Sequence, residues 1–428
     1  MRAPPEHIFH HTPDTLTAWC AARAMPEYRA TQILEWVYRK GVIDPTAMTN
    51  LSAVDRERLA SDMTFLSGHI VTMQAATDGV RKLLIEWDDS PRSTSVDHDN
   101  ATAESSSRPL SVMTSRPGPR TECVMIPSED PTGPRRTACI SSQVGCPVGC
   151  RFCASGLEGL EGNLTAGRIV EQAWRLNHML AMESEAPTGQ AMGVAPRPRA
   201  ESRASPHPRL TNIVFMGMGE PLANISNVIH AVGTLASPWG LGISARKITI
   251  STVGLPRAIE RLARDLDLPV TLALSLHAPT DDLRRKLIPW AQYSTIAELL
   301  AACRAWFEKT GREITLEYTL LRGVNDRPEH AATLAGLAKQ LRANVNLIRY
   351  NEVAGLEFQR PLDEDVREFQ RILRARHVAA HIRASRGRDI AAACGQLRHE
   401  RAAVSSSRSG AESPAPRFAT GPTASRDC

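Results

Sequence analysis

Thr137-Ala-Cys139-Ile-Ser-Ser142, followed at once by Gln143-Val-Gly-Cys146-Pro-Val-Gly-Cys150-Arg-Phe-Cys153, is the stretch on which the fold turns. Residues 137–142 read as a β-strand, and the turn behind them crowds three thiols together. Soft thiolates select iron–sulfur clusters, zinc or copper. Structural zinc takes four protein ligands, commonly as two C-x2-C pairs, and the chain has no second such pair. Three thiolates hold three irons of a 4Fe-4S cluster and leave the fourth open to a ligand. A zinc site closed by a distant His is the competing reading.

Downstream of that loop, apolar strands at 210–216, 247–252, 269–275, 313–320 and 344–349 alternate with amphipathic helical stretches, and a further strand is expected at 378–384. Strands in that rhythm build a parallel sheet. Polar or Gly residues follow each one. The prediction is an α/β fold, a partial (β/α)6 barrel with its chemistry at the carboxyl ends of the strands. An open doubly wound sheet is the runner-up, because a sequence does not report closure.

Upstream, Tyr28, Ile33, Leu34, Trp36 and Val37 recur at helical spacing, Gly41 suits a helix stop, and Leu51 with Leu59 marks a further turn. Residues 80–87 and 121–127 read as a hairpin. Its connection, 88–120, is crowded with Ser, Pro and Thr and cannot bury a core. A sheet tolerates such an insertion because closure entropy grows only with the logarithm of loop length. Residues 183–209 and 402–428 share that character. The expected organisation is an N-terminal helical domain over 1–65, a hairpin region over 66–134 with the disordered insertion 88–120, a core over 135–398 with the disordered insertion 183–209, and a flexible tail over 399–428.

A chain of 428 residues with 42% hydrophobic content buries one large core or two modest ones. No run approaches the ~18–20 apolar residues of a membrane span, and the first thirty residues hold Pro4, Pro5 and Glu6 in place of an apolar leader. A cytoplasmic protein without a membrane partner is expected. Lys plus Arg, 51, exceeds Asp plus Glu, 46, and the net charge of +5 permits a polyanionic partner without demanding one. The 9 cysteines are odd in number and unevenly spread, which is not a disulfide framework.

Four motifs carry the reading further: Cys139-Ile-Ser-Ser-Gln-Val-Gly-Cys146 leading into C-x3-C-x2-C, Gly217-Met-Gly-Glu-Pro221, Ser275-Leu-His277, and Asp389-Ile-Ala-Ala-Ala-Cys394-Gly-Gln-Leu397. Together, from about residue 26 to 398, they resemble the RlmN/Cfr family of radical S-adenosylmethionine (SAM) RNA adenine methyltransferases. The resemblance implies a 4Fe-4S cluster on Cys146, Cys150 and Cys153, with SAM chelating the open iron. It implies SAM contacts at Gly219, Glu220, Ser251, Ser275, Leu276, His277 and Asn351, and two SAM molecules per turnover. The first methylates Cys394; the radical from the second takes hydrogen from that S-methyl group, and the resulting carbon radical adds to the adenine ring. By the same resemblance Glu122 is the proton acceptor, and Cys139 attacks the thioether sulfur, forming a transient disulfide with Cys394 and freeing the methylated base.

Residue chemistry agrees with these roles. Adenine carbon 2 is electrophilic, so it does not attack the SAM methyl group and a carrier is required. Glycines let backbone approach a ligand, Glu220 suits an ammonium, and a carboxylate held out of bulk water serves as a base. Each residue alone has a blander reading: His277 as an ordinary hydrogen-bonded histidine, Ser251 as a turn residue, Glu122 as an exposed strand residue, and either thiol as a small buried hydrophobe.

The resemblance further implies 23S rRNA as substrate, with tRNA, beside the anticodon, as a second one. It favours carbon 2 over the carbon 8 of Cfr-like relatives, with a different radical SAM reaction as the remoter alternative. A flavodoxin or ferredoxin electron donor and a monomeric chain are expected. Phosphates must be held near the site; Arg367, Arg371, Arg374, Arg376, Arg383, Arg386 and Arg388 are candidates, as are Arg29, Arg39 and Lys40, although a solvated helix face explains most of them equally well. Two departures from the family stand out: the stretch 128–138 is longer, and Glu352 follows Asn351 where many members have proline. Cys20, Cys123, Cys303 and Cys428 carry no assigned role.

Overall fold

The computed structural model describes residues 6–89, 118–130, 133–185 and 208–397. The expected insertions 88–120 and 183–209, but for their ends, and the tail 399–428 lie outside the described residues.

Three short helices open the chain: α1 (Pro13–Ala21), α2 (Arg29–Leu34), which runs on into a π turn over Glu35–Arg39, and α3 (Ala53–Asp62). Their starts follow from side-chain caps. Thr12 Oγ1 accepts from the Thr15 amide, with Pro13 in the first turn, and Ser52 Oγ accepts from the Asp55 amide. Gly41, at φ 67, ends the π turn in the left-handed region that glycine enters without penalty. This helical unit is not free-standing. Phe9 packs on Trp174 with ring centroids 5.6 Å apart, and the Trp174 indole donates to the Val37 carbonyl at 2.8 Å, so one apolar core runs from Ile8 and Trp19 into the centre of the chain.

Ten strands form one sheet. In spatial order they are β1 (Gly68–Ala75), β2 (Arg81–Trp87), β3 (Arg120–Asp130), β4 (Gly133–Cys139), β7 (Asn212–Phe215), β8 (Ile248–Thr252), β9 (Thr271–Ser275), β10 (Ile314–Leu320), β11 (Ala343–Arg349) and β12 (Ala380–Arg383). A separate two-stranded pair consists of β5 (Gln143–Gly145) and β6 (Leu160–Asn163). From β1 to β4 neighbours are antiparallel, and from β4 to β12 they are parallel. The parallel strands follow one another in chain order without a reversal. That order excludes the doubly wound alternative, which needs a switch point, and it is the open, partial barrel expected, with the strand at 378–384 added.

The intervening helices are α4 (Ala166–Glu185), α5 (Ile225–Ala236), α6 (Pro256–Asp265), α7 (Asp281–Leu287), α8 (Ile296–Thr310), α9 (Pro328–Ala338) and α10 (Asp363–Ala375). Neighbours pack on one another, α4 on α5, α5 on α6, α6 on α8, and α9 on α10. α8 shows how the sequence writes such a helix: a Thr295/Glu298 capping box opens it, Gly311 at φ 65 closes it, and Trp306 is fully buried between.

Two sequence expectations need correction. The first core strand is Gly133–Cys139, not 137–142, because Ile140, Ser142 and Gln143 turn their amides to the Val214 and Met218 carbonyls and leave the β3 ladder. The three-thiol loop therefore does not follow that strand directly; it is carried between β5 and β6. β1 was unforeseen, since seven of its eight residues are exposed and its sequence has no alternation to read. Of the long 128–138 stretch, the described residues 128–130 and 133–138 belong to the β3–β4 ladder, where Pro127 pairs with Arg136 and Val124 with Cys139.

Candidate functional site

Cys146, Cys150 and Cys153 line one cavity of about 910 Å3, open mouth included, at the carboxyl edge of the parallel strands. The loop is held by its own apolar residues. Val148 and Phe152 pack with Leu287, Ile288 and Tyr350, and the three thiols border that cluster. Backbone bonds finish the work: the Cys146 amide donates to Gly159 at 3.0 Å and the Arg151 amide to Leu287 at 3.0 Å. Burial pushes every thiol up, Cys146 to about 12, so the sulfurs ionise only against a cation.

This donor set fits a 4Fe-4S cluster. The Val148 and Gly149 amides point at the Cys146 sulfur and the Ser155 and Gly156 amides at that of Cys153, the backbone support that sulfur ligands of a cluster receive. Among the described residues no three His, Cys, Asp or Glu side chains converge on a point where a single ion would sit. A cluster asks for something else, thiols spread around a void, each for a different iron.

Gly217, Gly219, Glu220, Ser251, Ser275 and His277 line the same cavity. Gly219 sits at φ 101, and a Cβ there would lie 2.7 Å from Gln143 Cβ and 2.8 Å from Ser142 Oγ. Gly219→Ala is expected to lower stability by on the order of 2 kcal/mol, read as a lower urea midpoint; an unchanged midpoint would mean that the loop relaxes freely. Glu220 is 3% exposed and accepts from the Leu222 amide at 3.0 Å and the Val253 amide at 2.8 Å. Burial raises its carboxyl above the ordinary range, while those donors pull the other way. Ser251 and Ser275 hydroxyls meet at 3.2 Å.

His277 takes the left-handed backbone at φ 54, costly for a side-chain-bearing residue and typical of sites. Its Nδ1 accepts from the Thr319 amide at 3.0 Å, which leaves the proton on Nε2. Burial, then the nearby Arg284, lower it to about 3 and keep the ring neutral. Leu276 is fully buried and contributes backbone only, donating its amide to Glu317 and accepting from Arg284 Nε at 3.2 Å. Arg284 itself is buried, bonded also to the Val253 carbonyl, and lies within electrostatic reach of Cys150. A charged residue amid DDLRRKL gives no sequence signal of such a place.

The segment after β12 closes the site. Ala154 donates to the Gly395 carbonyl at 2.8 Å, Ser155 Oγ to Leu397 at 2.7 Å, and Asn351 Nδ2 to the Cys394 carbonyl at 3.2 Å. Cys394 thereby lines the cavity of the three thiols and also a second one, shared with Cys139, Asn351, Arg383 and Arg386. Cys139, last residue of β4, is buried, and its thiol is pushed up to about 12 by burial and then by Cys394. Both are free thiols here. Arg383 reaches Glu317 at 3.6 Å; the sulfur of Cys394 is the largest influence holding it charged. Glu317, buried in β10 with Asn346 at 3.0 Å, also borders the first cavity, and burial raises its carboxyl. The sequence named Arg383 only as one of a basic run and missed Glu317, although a carboxylate inside ITLEYTL is a readable oddity.

Glu122 is placed elsewhere. It is 8% exposed, not the exposed strand residue that isolation implied, and lines a third cavity with Lys82, Ala391 and Gln396. Of the basic residues, Arg371 is committed to Glu368, Arg29 to Asp55, and Arg374 to the Ala380 carbonyl, while Lys40 lies over the Trp36 ring. Cys20, Cys123 and Cys303 are buried in the apolar core.

A solved radical SAM methyltransferase from Sphaerobacter thermophilus aligns with a TM-score of 0.77 and 38% identity, covering 92% of this chain and 100% of that one. Sheet, thiol loop and likeness together define a radical SAM methyltransferase fold. The pattern of the ribosomal RNA large subunit methyltransferase N-terminal domain matches residues 7–64, well before the start at about 26 that the motifs indicated. Relatives named "Probable dual-specificity RNA methyltransferase RlmN" include those of Thermosynechococcus vestitus, 41% identical over 90% of this chain and 95% of its own, and Rhodopirellula baltica, 36% identical over 94% and 93%. The chain belongs to the RlmN family.

Proposed function

We infer that this chain is a SAM-dependent RNA methyltransferase that methylates carbon 2 of adenosine in 23S rRNA and in tRNA through a methylated cysteine. One observation carries the cysteine route: Cys394 borders both the cavity of the three loop thiols and the cavity of Cys139. When bound on Cys146, Cys150 and Cys153, the cluster supplies with SAM the methyl group and the one-electron chemistry of the class.

The chain's own residues do the rest. Glu220, Ser251, Ser275, neutral His277 and the Gly217–Gly219 backbone line the cosubstrate cavity, and Asn351 steadies the Cys394 backbone. Cys394 Sγ carries the methyl carbon, with Arg383 lining the same cavity. After that carbon has lost a hydrogen atom and bonded to the adenine ring, the adduct gives up one electron, which the one-electron centre held by Cys146, Cys150 and Cys153 would accept, and Glu122 takes the proton from the attacked ring carbon. Cys139 Sγ then attacks Cys394 Sγ: an S–S bond forms, the C–S bond breaks, and its electron pair takes up a proton to complete the product methyl group. Two SAM molecules are consumed per turn, one as methyl donor and one as hydrogen acceptor. An external reductant, flavodoxin or ferredoxin, supplies electrons to the monomeric chain in the cytoplasm, and residues 1–65 form an RNA-gripping domain with Arg29, Arg39 and Lys40.

Two measurements test this. Anaerobically reconstituted protein is expected to bind iron and release 5′-deoxyadenosine from SAM; colourless, iron-free, zinc-loaded material would overturn it. Mass mapping of adenosines in 23S rRNA and tRNA from cells lacking the protein should show carbon-2 methylation gone, whereas loss of a carbon-8 methyl group would redirect the assignment.

A further inference from the structure

Lys82 of β2 sits in register with Val124 of β3, which in turn pairs with Cys139 of β4, so one row of the sheet carries an ammonium at one end and a reactive thiol at the other. Lys82 Nζ lies 2.8 Å from Glu122 Oε1, with the two side chains only 9% and 10% exposed. The same Nζ donates to the Ala391 carbonyl at 3.3 Å, three residues ahead of Cys394. Ala391 is held in the left-handed region at φ 49, and the segment around it is pinned again from the β1–β2 turn: the Thr77 amide donates to Asp389 at 2.9 Å and the Gly387 amide to Asp78 at 2.9 Å.

A lysine taken this far out of water must be paired. The pairing here joins the two parts that act on the covalent adduct, the base and the segment that presents the carrier sulfur. We propose that Lys82 is a positioning residue for adduct release: its ammonium, bonded to both, fixes the distance between the Glu122 carboxylate and the Cys394 segment. Lys82 touches neither substrate nor cosubstrate in this role. The proposal rests on the reading of Glu122 as the base, and the test separates the two.

Other groups face Glu122. Cys123 on its own strand is kept protonated by burial, the Cys139 thiol comes from β4, and Glu352 from the loop after β11 lines the same cavity. The Cys139 thiol titrates in release for every variant alike, so the wild-type profile is the reference. Without the ammonium the bridge between the Glu122 carboxylate and the Ala391 carbonyl is lost, and the base and the carrier segment are no longer held at a fixed distance.

The experiment uses the full chain, reconstituted anaerobically, with SAM, a chemical reductant and an unmodified 23S rRNA fragment transcribed in vitro. Enzyme–RNA adduct is followed on denaturing gels from pH 6 to 9. Lys82→Met is expected to slow release roughly tenfold while adduct forms at the wild-type rate, with Lys82→Arg close to wild type. Lys82→Gln serves should the Met variant fail to fold, with iron content and thermal melting as the check. Glu122→Gln should trap adduct at every pH. If Glu122→Gln traps adduct while Lys82→Met releases it at the wild-type rate, or forms and releases it equally slowly, the assignment to Lys82 falls and the base stands. If Glu122→Gln releases like the wild type, both fall.

Discussion

Cys394→Ala is expected to abolish adenosine methylation, a loss of more than about a thousandfold, because among the described residues no other thiol borders both cavities to take over the methyl group. The substitution tests chemistry and not folding. The bonds that seat this segment run through backbone carbonyls of Cys394, Gly395 and Leu397, and none uses the sulfur. Iron content and unfolding midpoint should therefore match the parent protein. Nucleoside mass spectrometry after incubation with the 23S rRNA fragment gives the answer. Product above about 1% of the parent rate, in a protein that has lost only this sulfur, would end the methyl-cysteine route.

The second large effect is of the opposite kind. Cys139→Ala leaves the carrier, the cluster thiols and the base untouched and removes the group that attacks the thioether sulfur. Methyl transfer and ring addition proceed, release stops, and the chain should run on a denaturing gel as a near-stoichiometric covalent complex with RNA after one turnover. Because Cys139 is buried at the end of β4 beside Val124 and Val214, trimming its sulfur costs about 1–2 kcal/mol of packing, which a chain of this size withstands. Free RNA alone in the Cys139→Ala lane would refute the resolving role, whatever Cys394→Ala had shown.

Legibility differed from residue to residue for physical reasons. The strand rhythm of β7 to β10 was readable because most residues of each strand are buried and apolar residues crowd each run. β1 was not, because it is an exposed edge. The thiols of the loop announce themselves by spacing, whereas Glu122 and Lys82 look like solvent-facing strand residues until the C-terminal segment is laid across them. Gly219 was noted as a ligand-facing glycine; the structure adds that Gln143 and Ser142 press on it from behind. Arg284 left no pattern, since a single charge inside a helix is indistinguishable from a surface residue before the chain is packed, whereas Glu317 is a lone carboxylate in the otherwise uncharged strand ITLEYTL.

Local chemistry is additive along the chain, and so the amino-acid order alone determined the thiol loop, the α/β rhythm, the helical start and the motifs that define the family. What it did not determine is which groups meet from separate parts of the chain: Cys139 with Cys394, Lys82 with Glu122 and Ala391, Glu317 with Arg383. Those meetings depend on strand register and on where the segment after β12 comes to rest. Both are settled by burial and hydrogen bonding summed over the whole sheet, a quantity that no short stretch of sequence contains.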